Sequence, residues 1–203
     1  MTLHKANTEQ LHELLYQALE TELGGEQVYK AAISCANNAD LKKEWEGYLE
    51  ETLTHQQVLK SIFEELALDP AKQTPGRQVL KQIASALVKA MGLAKQAGDP
   101  KAAELVASEC VILAETKDHL NWQLIGLVGE QSKDKKLATL LKQAHDAVAP
   151  DEGHHLYHTQ GWSRELWIQS LGFPAVLPPP EEQKQVETPI GASRAEQQRN
   201  KML

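Results

Sequence analysis

Residues 8–33, TEQLHELLYQALETELGGEQVYKAAI, decide the fold class: Leu11, Leu15, Leu19, Leu23, Tyr29 and Ile33 recur at helical spacing. On the same stripe, at steps of three, four or seven, stand Glu22 and Glu26. A stripe of this period is the face a helix buries, so two carboxylates point where an ionised group is costly without a cationic partner. The commoner fate of a single glutamate is the edge of such a stripe, beside a lysine or arginine. The reading therefore turns on whether other helices repeat the anomaly.

Working outward, the spacing predicts one long helix from residue 8 to about residue 36, stopped by Asn37 and Asn38. Asp40 opens a second, through Trp45, Tyr48, Leu59 and Leu66 to Asp69 and Pro70. The short turn between them makes the two antiparallel neighbours. After AKQTPG a crossover helix covers residues 77 to about 97, and Asp99 with Pro100 starts a third long helix that ends near Gly129. A last pattern begins near Asp134, meets Pro150, which is expected to kink or interrupt it, and resumes to Gly172. Two long helices, a crossover with its own helix and two more long helices form an all-α four-helix bundle over residues 1–175. Residues 176–203, rich in Pro, Glu and Gln, are expected as an extended or disordered tail, packed on a partner subunit.

Composition narrows the function classes. A net charge of -7 and the lack of a basic stripe argue against a nucleic-acid binder. No apolar run is long enough to span a bilayer, and the first residues lack a signal-peptide layout, so the expectation is a cytoplasmic protein without membrane contact. Cys35 and Cys110, each inside an apolar pattern, are read as packed thiols rather than a disulfide.

The polar anomaly recurs. The second helix carries Trp45, Tyr48, Thr52, His55 and Leu59 on one stripe, with Glu51 one turn before His55. The third has Glu115 and His119 between Ile112 and Trp122, and both ELGGEQVY (22–29) and ETKDHLNW (115–122) place a carboxylate seven residues before an aromatic, a weak internal duplication. The fourth contains Glu152-Gly-His-His155, the i, i+3 pair that sets carboxylate and imidazole on one helix face, with His158 a turn later. Four helices each aiming such groups inward suit two divalent cations, whose repulsion is offset by bridging carboxylates and whose positions are held by imidazoles.

These residues resemble the ferritin-like diiron and dimanganese carboxylate superfamily of bacterioferritins, rubrerythrins and manganese catalases, whose pattern is Glu, Glu-x-x-His, Glu, Glu-x-x-His on successive helices. Glu22, Glu115 and Glu152 with His155 match it. The second helix departs, because three before His55 stands Thr52, and Glu51 is four before. The resemblance implies a metal set of Glu22, Glu51, His55, Glu115, Glu152 and His155, with Glu26, His119 and His158 as further ligands or supports.

It also implies two iron or manganese ions, no organic cofactor, reaction with oxygen or peroxide in ferroxidase, peroxidase or catalase-like chemistry, and a homo-oligomer. Two alternatives stay open: a diiron oxygenase with an organic substrate, and a metal-free helical interaction module.

Overall fold

The computed structural model describes residues 3–203, and the regular structure among them is all helical. Five long helices come first: α1 (Thr8–Cys35), α2 (Ala39–Glu65), α3 (Pro75–Gln96), α4 (Pro100–Gln131) and α5 (Lys135–Ser170). Two short ones follow, α6 (Pro180–Gln183) and α7 (Pro189–Gln198), then a 3-10 turn over Arg199–Lys201. Each long helix starts at a side-chain cap that satisfies orphan N–H groups of its first turn: Asn7, Asn38, Thr74, Asp99 and Asp134. The cap of α2 is Asn38, and Asp40 instead lies in the first turn, where its charge complements the helix dipole.

Packing partners give the arrangement. Tyr16 meets Phe63 and Tyr29 meets Tyr48, so α1 and α2 run antiparallel. Between α2 and α5, Tyr48 pairs with His158 and His55 with Asp151, again antiparallel. Asn121 and Trp122 of α4 bond Thr21 and Glu22 of α1, and Trp167 of α5 bonds Glu109 of α4. Four helices thus form a ring in the order α1, α2, α5, α4, while α3 is the crossover and lies against α1 and α4 from outside. Only Arg77 and Met91 of α3 are buried; Arg77 is held by Glu20 at 2.6 Å.

The interior separates into two apolar layers. One gathers Val28, Tyr29, Leu41, Trp45, Val111 and Trp162; the other gathers Leu15, Leu19, Leu59, Phe63, Trp122 and Leu141. Each fully buried aromatic or leucine contributes about 1.5–3 kcal/mol, which is what offsets a polar stratum left between the layers. Cys35 and Cys110 are buried free thiols in the first layer, as read from their apolar context.

Two expectations need correction. Pro150 does not interrupt α5, which runs as one helix from Lys135 to Ser170. Pro150 and Asp146, whose carbonyl loses its helical donor, are both exposed, so water can satisfy that carbonyl. The segment 176–203 is not an extended tail. It folds back on α5, where Val186 and Ala195 pack against Leu156 and Tyr157. Glu181 makes a two-pronged contact with Arg164 at 2.8 and 2.9 Å, and Arg199 bonds Glu165 at 2.6 Å. Gly153 and Gly161 make room: a Cβ on either would lie 2.4 Å from Glu187 O or 2.5 Å from the Glu181 carboxylate. Local hydrophobic period does not reveal the strap, because ion pairs to α5 residues 17 and 34 positions earlier in the chain help to hold it.

Candidate metal centre

Between the apolar layers stand Glu22, His55, Glu115, Glu152 and His155, each at most 3% exposed. Amphipathic periodicity places them there, since every one occupies the inward stripe of its helix. Their ligand atoms form two groups, Glu22 with His55 and Glu152, and Glu115 with Glu152 and His155, the atoms of each lying within 4.8 Å of one another. Glu152 is common to both. Its Oε1 is 3.2 Å from Nδ1 of His55 and 4.0 Å from Nδ1 of His155. Glu22 Oε1 completes the first group at 3.4 Å from His55 Nδ1, and Glu115 Oε2 the second at 3.5 Å from His155 Nδ1.

The outward Nε2 atoms are held differently. That of His55 meets Asp151 Oδ2 at 3.2 Å, and that of His155 meets Glu51 Oε2 at 2.8 Å. Both carboxylates are about a third exposed, at 34% and 39% of their side-chain area. A carboxylate on the far nitrogen fixes the ring and tautomer so that Nδ1 faces inward. Glu51, expected among the metal ligands, therefore stands behind His155 rather than in either group.

The site has an approximate two-fold relation. Asp151 precedes His155 by four residues as Glu51 precedes His55, and each carboxylate crosses to the other helix's imidazole. The aromatics cross as well. Trp122 Nε1 donates to Glu22 Oε1 at 2.8 Å, while burial and the neighbouring Glu115 charge push the Tyr29 phenol well above its usual range. The duplicated Glu-to-aromatic spacing thus sets the α4 aromatic on the α1 carboxylate, whereas the Tyr29 hydroxyl is buried without a hydrogen-bond partner.

Electrostatics follow from crowding acids in a dry stratum. Burial raises Glu22, and burial with the charges of Glu115 and Glu22 pushes Glu152 up to about 7. Burial opposes the charged form of His55, but bonds from Asp151, Glu152 and Glu22 outweigh it and raise the ring to about 12. His155 rises to about 10, with Glu115 and Glu51 outweighing burial in the same way. The groups draw positive charge inward, as a cation site does.

The remaining candidates lie elsewhere. Glu26 bonds Lys30 and Gln56 at the protein's edge. His119 faces Gln123 at 2.9 Å and Tyr157 at 3.5 Å. His158 is buried, with Nδ1 3.0 Å from the Tyr48 hydroxyl, outside both groups. Sequence reasoning missed Asp151, whose i-4 relation to His155 repeats Glu51 and His55. It also missed Asp118, buried on α4 and one turn after Glu115 on the same face.

No family model, curated protein or solved structure matches the chain. The class is thus set by its own geometry: an all-helical protein with, among the described residues, two buried Glu/His groups that share one carboxylate.

Proposed function

We propose that the chain is a ferritin-like dinuclear metal protein, with Glu22, His55 and Glu152 holding one ion and Glu115, His155 and Glu152 the other. The observation that carries this reading is the shared carboxylate, since a bridge common to two ligand sets is what a pair of close divalent cations requires. Oxygen and imidazole donors without thiolate suit iron or manganese. Such ions, when bound, would supply electron transfer to oxygen or peroxide. The chain's own part is to orient the imidazoles through Asp151 and Glu51, to aim Glu22 through the Trp122 indole, and to exclude water with two apolar layers.

Enclosure of the site between two apolar layers favours small reactants over a bulky organic substrate. A cavity of about 280 Å³ lies at the end of the helix ring, lined by Leu11, His12, Leu66, Leu137 and Leu140, and none of its lining residues belongs to either group. The centre approaches solvent instead at the carboxylates of the α2 and α5 seam, Glu51 and Asp151, each about a third exposed.

The test is elemental analysis of protein purified from iron- or manganese-supplemented cells, followed by assays of oxygen and peroxide consumption. Expected are about two ions per chain, with both lost in Glu152→Ala because the bridge serves both. Wild-type protein without metal above the level of Glu152→Ala would overturn the reading and favour the metal-free module.

A further inference from the structure

The two-fold relation of the centre is broken at one pair of places. Glu152 stands three residues before His155, and its counterpart before His55 is Thr52. Asp118 stands three residues after Glu115, and its counterpart after Glu22 is Gly25. Gly25 and Thr52 face each other, for a Cβ at Gly25 would lie 3.6 Å from Thr52 Cγ2. By the same relation Asp118 belongs on the Glu152 side. The α4 and α5 half therefore buries Glu115, Asp118 and Glu152, whereas the α1 and α2 half offers only Glu22 to the centre.

Asp118 is 4% exposed, its Oδ1 is buried without a hydrogen-bond partner, and it stands one turn from Glu115 on the same helix face, its oxygens outside both ligand groups as they stand. The carboxylates whose charges reach it are Glu22, Glu152 and Glu115. His55, the opposite charge felt there, already faces Glu22, Glu152 and Asp151. Lys117, its chain neighbour, is engaged with Asn121. A buried, unpaired carboxylate is retained only with a cation or a proton.

We infer that Asp118 is the fourth carboxylate of the dinuclear centre, standing on α4 in place of the glutamate that α2 lacks at Thr52. The inference rests on the metal reading above. Charge supports it: with both imidazoles neutral, four buried carboxylates balance two divalent cations, while the outer carboxylates of Glu51 and Asp151, about a third exposed, are partly screened by water. Glu51 does not take this place, because its carboxylate is about a third exposed and occupied with the outer nitrogen of His155.

The experiment compares wild type, Asp118→Asn and the double variant Thr52→Glu/Asp118→Asn, each equilibrated with manganese and freed of excess by gel filtration. Metal per chain, affinity by competition with a chelating dye, and the exchange-coupled manganese signal in electron paramagnetic resonance are read. Asp118→Asn is expected to hold the second ion at least about tenfold more weakly, falling toward about one ion per chain and losing the coupled signal. The double variant restores a carboxylate at the related place, where Gly25 leaves room, and is expected to regain the second ion and the coupled signal. Asp118→Asn with two ions at unchanged affinity overturns the assignment. So does a double variant that folds, by circular dichroism, yet holds one. Wild type without manganese overturns the underlying metal reading, a result distinct from either.

Discussion

Glu51 and Asp151 show how finely a role can differ at one helical turn. Both are one turn from a histidine and both touch an imidazole, but on its outer nitrogen. Glu51→Gln is therefore expected to keep both ions with affinity weakened about 10- to 100-fold, as for a group that orients a ligand, whereas Glu152→Ala loses both. Dye competition separates the two outcomes. Protons compete with metal at the same atoms, which sets a pH dependence. His55 and His155 are raised to about 12 and about 10, above the ordinary value of 6.5 that they regain on unfolding. Between pH 7 and 9 the folded, metal-free protein thus holds protons that the unfolded chain has released, so its stability falls as pH rises, by up to about 1.4 kcal/mol per pH unit for each ring. His158, lowered to about 3 by burial and by the charges of His154 and His155, acts oppositely, but its contribution is already complete above pH 7. Urea midpoints at pH 7, 8 and 9 check the slope, and a flat or rising profile would contradict it. Manganese, replacing those protons, is expected to flatten the decline.

The helices themselves were legible wherever burial follows a local period. Leu11, Leu15 and Leu19 mark the inner face of α1, and Trp45, Tyr48, His55 and Leu59 that of α2. Periodicity also carried Glu22, His55, Glu115, Glu152 and His155 to the right face, because a helix fixes direction every three to four residues. It failed for the strap, whose few apolar residues suggested disorder. There the decisive contacts are between α5 and residues more than a dozen positions later: Arg164 with Glu181, and Glu165 with Arg199. Arg164→Ala leaves the buried Glu181 carboxylate unpaired and is expected to cost about 2–3 kcal/mol, discounting the larger figure for a fully buried pair. Its signature is faster proteolysis within 176–188 before the helix core unfolds. Gly161→Leu, which drives a side chain into the Glu181 carboxylate, is expected to release the strap likewise.

At the scale of the whole molecule, the two apolar layers and the polar stratum between them are one device. The layers supply the stability that a stratum of acids removes, and a bound ion pair would return it. Manganese at a hundredfold excess over its dissociation constant is expected to add about 2.7 kcal/mol per independent site, a melting rise of several degrees that Glu152→Ala abolishes. An equal shift in that variant would place the stabilising ion elsewhere. By itself the sequence determined the all-helical class, the five long helices, the crossover between two pairs and the inward aim of Glu22, His55, Glu115, Glu152 and His155, because each is written in spacing along one chain segment. Only the tertiary structure decided that Glu152 is shared, that Glu51 stands behind a ring instead of in the centre, that Asp118 joins the buried acids, and that the last residues fold as a strap. Those facts depend on which helix faces which, at a fraction of a turn and across a hundred residues, and hydrophobic period carries no record of the partner.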